Sequence, residues 1–357
     1  GHCHVVAEAT GAGDKAGYLV AFDHKSGSGW RDNTNFGSTT ATLAFQERKD
    51  GRRGVLTLEQ RVTLLRRTEQ QSGGLTDIQF ESDARRSDRA RNWFDVSWNI
   101  ASADLSWTPL QGGLDVNLST YALQASRKSL GFLGTPNRVD FGGTRDLIWG
   151  DFASVGWDAR VTKRWTNASH DRVSALVLGT QGYVGQNRMR QGPGALGGGS
   201  NFSFDTSDEV RAESDFVFPN RQLTAFAQGV WAFAANWSVT PGVRWERIGT
   251  YAEGTYREVI LDGAGNVIED SLFKSESDNE RQVLLPGLGV SWKRPSGEWY
   301  ANAVRNFRAV NFSDIQINNL GVVVDPNIED ERGANADLGY RTAGEFWTLD
   351  ASAFVLW

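Results

Sequence analysis

The 357-residue sequence is poor in several residue types and patterns. It has one cysteine, Cys3, which excludes an internal disulfide framework. Proline and methionine are scarce, with eight and one residues. Positive charge is not in excess: the formal net charge is -6, which argues against a general nucleic-acid binder. Residues 1–16 lack the basic start and apolar core of a signal peptide. No run is apolar enough for a transmembrane helix. The nearest, 223–239, is interrupted by Gln228 and Asn236, and it alternates. The signatures of common catalytic sites are also missing. There is no His-Glu-x-x-His, no phosphate loop and no Gly-x-Ser-x-Gly elbow, so no enzyme and no cofactor are implied.

The absence of apolar helices leaves a membrane barrel open, because its strands need only about 9–11 alternating residues to span. Glycine (40) and tryptophan (14) are plentiful. The length suits two ordinary soluble domains or one large barrel. Strand patterns fall at 2–9, 18–24, 38–48, 53–66, 92–107, 114–126, 148–163, 172–182, 222–234, 237–250, 282–293 and 298–307, with two more in 334–357. That makes about fourteen strands, joined by connections that alternate short and long. The long ones include 68–91, 127–147, 183–221 and 251–281. Outer-membrane barrels keep short turns at the periplasmic end and long loops outside, whereas a soluble sandwich or propeller has no reason to hold that parity.

Period-two alternation supports the same fold. Leu114, Val116 and Leu118 would face lipid, opposite Asp115, Asn117 and Ser119. Val239, Pro241, Val243 and Trp245 oppose Ser238, Thr240, Arg244 and Glu246, and Leu349, Ala351, Ala353 and Val355 oppose Thr348, Asp350 and Ser352. Within 92–107 the phase slips from Phe94, Val96 and Trp98 to Ala103, Leu105 and Trp107, which predicts a bulge near Ala101-Ser102. Trp107, Trp165, Trp237, Trp292, Trp299 and Trp347 all stand beside predicted short turns, as the aromatic girdle of a barrel would.

Four local motifs bear on function. Gly192-Pro193-Gly194-Ala195-Leu196-Gly197 fits the dinucleotide glycine pattern, but no helical pattern follows it, so a glycine-rich loop tip is the better reading. His2-Cys3-His4 has soft-metal ligands, but alternate strand side chains point apart, which is poor geometry for a closed site. Glu329-Asp330-Glu331 is most simply a solvated loop end. The arginines are the functional candidates. Arg85, Arg86, Arg89 and Arg91 share one predicted extracellular loop, Arg188 and Arg190 another, with Arg138 and Arg145 between. Guanidinium groups pair bidentately with carboxylates, so such loops would suit an anionic iron chelate. Interleaved Glu81, Asp83 and Asp88 leave open that these are solvated charges, or contacts to lipopolysaccharide phosphates.

Several stretches resemble the barrel of TonB-dependent outer-membrane receptors. The main one is Asn306-Phe307-Arg308-Ala309-Val310-Asn311, then Asp325-Pro326-Asn327-Ile328-Glu329-Asp330-Glu331, then the strand Ala334 to Arg341. Val310, Asp325, Asp330 and Asp337 stand where the family often has proline, asparagine, proline and glutamate. Gly17 to Phe36 resembles an early barrel hairpin of receptors similar to the ferric dicitrate receptor, and Leu223 to Glu246 a common mid-barrel hairpin. The resemblance implies an all-β, antiparallel up-and-down transmembrane β-barrel. Residues 1–357 would be part of that barrel domain, about 14 of some 22 strands, without the plug. It also implies TonB-energised uptake of a ferric chelate, iron citrate or a siderophore, in the outer membrane of a Gram-negative bacterium. The expected partners are the chelate, TonB and the proton-motive inner-membrane complex acting through the plug, and outer-membrane lipid with lipopolysaccharide. A passive porin-type barrel and a soluble all-β binding protein remain the alternatives.

Overall fold

The computed structural model describes residues 1–167, 172–205, 213–264, 266–310 and 328–357. Among the described residues fourteen strands form one antiparallel sheet, each hydrogen-bonded to its sequence neighbours. They are β1 (His2–Ala12), β2 (Ala16–Ser28), β3 (Asn35–Gly51), β4 (Gly54–Gln70), β5 (Trp93–Pro109), β6 (Leu114–Gly131) and β7 (Arg145–Asn167). They continue with β8 (Arg172–Gly194), β9 (Ser214–Ala234), β10 (Trp237–Leu261), β11 (Val267–Arg294), β12 (Gly297–Arg308), β13 (Glu331–Ala343) and β14 (Thr348–Leu356). β14 does not pair with β1, so the sheet is not closed.

The connections hold the expected parity except at 262–266, where β10 and β11 are joined by a short connection at the long-loop end. Residues 13–15, 52–53, 110–113, 235–236, 295–296 and 344–347 are short turns at one end. Gly112 and Gly113, at φ 95° and 59°, let the chain reverse at 110–113, in the left-handed region that side chains disfavour. Connections 29–34, 71–92, 132–144, 195–213 and 309–330 lie at the other end. Within 71–92 sits one short helix, α1 (Asp77–Ser82), which the sequence reading placed in open loop. Thr76 and Gln79 cap it reciprocally, a Thr-x-x-Gln signature of a helix start.

Three strand expectations are corrected. β8 runs to Gly194 and β9 starts at Ser214, so the predicted loop 183–221 shrinks to 195–213. Likewise β10 and β11 pair through most of the predicted loop 251–281. Along these extensions the lipid-side face turns from apolar to charged, with Arg188 beside Asp215, while the other face buries Phe216, Phe218 and Ala252 together, so their alternation no longer reads as that of a lipid-facing strand. The bulge near Ala101-Ser102 is absent: β5 pairs in unbroken register with β4 and β6. Phe94, Val96 and Trp98 simply face the lumen side near the loops, where the Arg127 guanidinium lies 5.2 Å over the Phe94 ring.

The register gives the wall two faces. One carries Val20, Leu43, Val62, Leu105, Leu118, Val161 and Leu178, then Ala227, Val243, Leu288, Ala303 and Leu338. Leu43 is 55% exposed and Leu338 56%. An apolar band that crosses every strand from β2 to β13 is of a kind that water-soluble monomers rarely leave bare, and it matches a lipid-facing surface. Trp237, Trp292, Trp299 and Tyr340 follow one another across β10 to β13 at its short-turn edge, with Trp237 stacked on Trp292 at 5.2 Å. The opposite face is polar. There Arg244 pairs with Glu246, which is buried and accepts a 3.2 Å hydrogen bond from Gln222, and Arg160 pairs with Asp158 at 2.6 Å. Gly182 belongs to the lipid face and packs under the Trp157 ring, leaving no room for a Cβ.

Candidate functional site

At the long-loop end four connections are bonded into one layer, and arginines do most of the bonding. Connection 29–34 is tied to 71–92. Arg31 donates to the carbonyls of Gly73 (3.0 Å) and Arg86 (2.9 Å), and Arg85 Nε donates to that of Trp30 (2.8 Å). Connection 71–92 is tied to 132–144. The buried Arg89 donates to the carbonyls of Gly134 (3.2 Å) and Thr135 (2.8 Å), and its guanidinium lies 5.0 Å over the Phe132 ring.

Arg91 makes the strongest of these links. It grips Asp140 through two nitrogens at 2.8 and 2.5 Å and donates to Gly143 O at 3.0 Å. The hydrogen bond from Arg91 holds the Asp140 carboxyl below its ordinary value against desolvation, helped by the Gly142 N–H. The same pairing raises Arg91. Two parallel N–H···O bonds fix orientation as well as distance.

Arg145 opens β7 and is 1% exposed. It donates to Ala195 O (2.9 and 2.7 Å), Gly199 O (2.7 Å) and Arg91 O (3.2 Å). Trp93 Nε1 donates to Gly198 O at 2.7 Å. Together they fasten the glycine-rich segment 195–199 over the ends of β5 to β7, where Leu130 and Leu147 are fully buried. The dinucleotide-like glycines thus serve close packing, since a Cβ on Gly194 would strike Leu130.

The eight candidate arginines therefore do not converge on one point. Arg89, Arg91 and Arg145 are spent inside the loop layer. Arg85, Arg86 and Arg138 are exposed on it, with Arg86 beside Asp88 at 3.0 Å. Arg188 and Arg190, expected in a loop, are strand residues on the lipid-side face of β8. They pair with Asp215 (2.6 Å) and Asp151 (2.8 Å). The reading as a solvated acidic run also fails for Asp330. It meets the buried Arg281 at 2.6 Å, while Arg281 donates to Thr250 Oγ1 at 2.8 Å. Residues 311–327, which include part of the main resemblance, lie outside the described residues. His4 hydrogen-bonds Asp23 at 2.7 Å, and no group of three or more metal-ligating side chains gathers among the described residues.

An up-and-down sheet with one lipid-type face, one polar face and loops of opposite length at its two ends is the wall of a transmembrane barrel. The sequence matches the family model "TonB dependent receptor-like, beta-barrel" over residues 20–357, and the chain belongs to that family. It is a family of receptors and transporters, not of enzymes. No curated protein sequence matches significantly. The structure is similar to the ferric citrate transporter FecA in its unliganded form, with TM-score 0.73 and 17% identity, covering 99% of this chain and 48% of that one. It is also similar to the ferric yersiniabactin uptake receptor FyuA from Yersinia pestis (TM-score 0.69, 12% identity, 98% of this chain and 51% of that one). A third likeness is to the copper transporter OprC (0.69, 14%, 99% and 52%). The chain spans about half the length of these structures.

Proposed function

We propose that this chain is barrel wall of an outer-membrane receptor that imports a ferric chelate, iron citrate or a siderophore, in a Gram-negative bacterium. The observation that carries the reading is family membership over residues 20–357, joined to similarity with structures named for ferric citrate and ferric yersiniabactin. In this reading the loop layer meets the ligand. Arg85, Arg86 and Arg138, exposed on that layer, offer N–H donors to an anionic chelate. Arg89, Arg91 and Arg145 hold the loops that present them. Arg188 and Arg190 face the outer leaflet, where lipopolysaccharide is the neighbour. Import would be energised through TonB and the inner-membrane proton-motive complex, acting on a plug inside the polar face.

The test is uptake of radiolabelled ferric citrate and ferric siderophores by iron-starved cells carrying the whole protein. Uptake that stops when the proton-motive force is collapsed supports the receptor. Uptake that persists points instead to passive, porin-type diffusion, and no uptake of any ferric chelate refutes the substrate class.

A further inference from the structure

The lipid-side face of β4 to β8 is graded row by row. One ladder row reads Val62, Ala101, Ala122, Val155 and Val184. The next, toward the long loops, reads Leu64, Asn99, Gln124, Ala153 and Gln186, and the third Arg66, Ser97, Ser126, Asp151 and Arg188. Asn99 is eight residues up β5 from Trp107 of the short-turn girdle. At about 3.4 Å per residue and a tilt near 40°, it stands roughly 20 Å above that girdle. The third row then falls at the outer edge of an apolar band about 25 Å tall, the depth of lipid head groups.

This stretch is not smooth. The small side chains of Ala101, Ala122 and Ala153 help leave a groove of about 730 Å³ that crosses the strands from Leu64 on β4 to Arg221 and Tyr251 on β9 and β10. A polar hollow flanked by Arg66 and Arg188 adjoins it and shares Asn99, Gln124, Ala153 and Gln186 with it. Arg188 is matched by Asp215 and Arg190 by Asp151, whereas Arg66 reaches only Asn99 Oδ1 (3.5 Å), and Lys128 stands opposite Asp95 in the register without closing an ion pair. Lys128 Nζ instead lies 4.1 Å over the Trp149 ring. Ser126 Oγ and Arg190 Nε are buried there without a hydrogen-bond partner, although buried polar atoms rarely go unpaired.

We propose that this face is a binding site for an anionic, phosphate-bearing lipid of the outer leaflet. An acyl chain lies in the groove at the depth of Ala101 and Ala122. The head-group phosphate sits two to three rows higher, accepting from Arg66, Ser126 and Lys128. A mainly apolar groove that crosses the strands and opens toward a hollow holding Arg66, with Lys128 one row above, fits such a lipid.

The inference rests on the outer-membrane placement proposed above. The experiment is mass spectrometry of lipid retained by the whole receptor, extracted from outer membranes in mild detergent. Wild type is expected to retain an anionic phosphorylated lipid. Removing charged hydrogen bonds with Arg66→Ala plus Lys128→Ala lowers retention by about tenfold or more. Filling the groove with Ala122→Phe lowers it similarly, while Ala303→Phe, on the same face of β12, leaves it at the wild-type level. Retention unchanged in Ala122→Phe and in the double variant, or retention of zwitterionic lipid alone, overturns the site. A protein that does not fractionate with the outer membrane overturns the placement and the site together. A membrane-borne receptor that holds no such lipid overturns the site alone.

Discussion

Replacing Arg145 by methionine should release segment 195–199 without disturbing the barrel. The guanidinium is 1% exposed and serves the carbonyls of Ala195, Gly199 and Arg91 at 2.7 to 3.2 Å. Methionine keeps an unbranched stem but offers no donor, so three acceptors lose their partner at once. Each buried orphan costs about 1–3 kcal/mol, and segment 195–199 is partly open to water, so roughly 3 kcal/mol in total is the reasonable figure. At about 1.4 kcal/mol per tenfold, the layer would then open roughly a hundred times more often. Native-state hydrogen exchange reads this directly. The amides of Ala195 and Asp205, bonded to Ser203 O (2.9 Å) and Pro193 O (2.8 Å), should exchange faster by that factor. Amides in the middle of β5 should not change, and neither should Ala195 in an Arg138→Met control. Protection at Ala195 and Asp205 within about threefold of wild type would mean the carbonyls are held by something else, and the reasoning would be wrong.

Acid should loosen the neighbouring clip. Asp140 has a lowered pKa in the folded protein, so its stabilisation is present above the ordinary carboxylate value of 3.8 and is lost as pH falls through the depressed one. Proteolysis of 132–144 should accelerate only in that acid range in wild type, and at neutral pH in Asp140→Asn; a pH-independent rate in wild type would contradict this. Gly182→Leu should cut the yield of folded barrel sharply, because the new side chain meets the Trp157 ring; a normal yield of heat-resistant protein would show that the ring can move aside. Trp292→Ala removes a ring stacked on Trp237 and lying 4.6 Å under Arg294. It should cost about 1 kcal/mol beyond lost burial in denaturant titration of vesicle-bound protein, more than Trp30→Ala in the exposed connection 29–34.

Parity of turns and period-two alternation were legible because both are local. Pro109 to Leu114 reads as a turn whatever surrounds it, and Leu114, Val116 and Leu118 declare a face within five residues. Strand ends were not legible. At the outer edge of the bilayer, Arg188 and Asp215 stand on adjacent strands and hold each other, yet each alone looks like a loop charge. The supposed bulge in β5 arose the same way. Phe94 and Trp98 looked out of phase because an apolar residue was assumed to seek lipid, whereas near the loops the lumen side also supplies cover, here from Arg127.

The candidate site was partly legible for a chemical reason. A guanidinium suits a carboxylate ligand and a cluster of backbone carbonyls equally well, since both present oxygen acceptors to its fork of donors. Arginine content at the loop end could therefore be read, but its employment could not. Arg91 is committed by Asp140, 49 residues on, and Arg145 by carbonyls 50 and 54 residues on. Those distances in sequence are the lengths of barrel hairpins, so only the paired register of neighbouring strands brings the partners together. By the same logic, an anionic chelate should be sensed by arginines that found no such partner. Arg138→Ala should weaken chelate binding with loop protection unchanged, whereas Arg145→Met should alter both. If both variants lowered binding and loop protection together, Arg138 would be structural too, and the ligand would have to be recognised elsewhere on the layer.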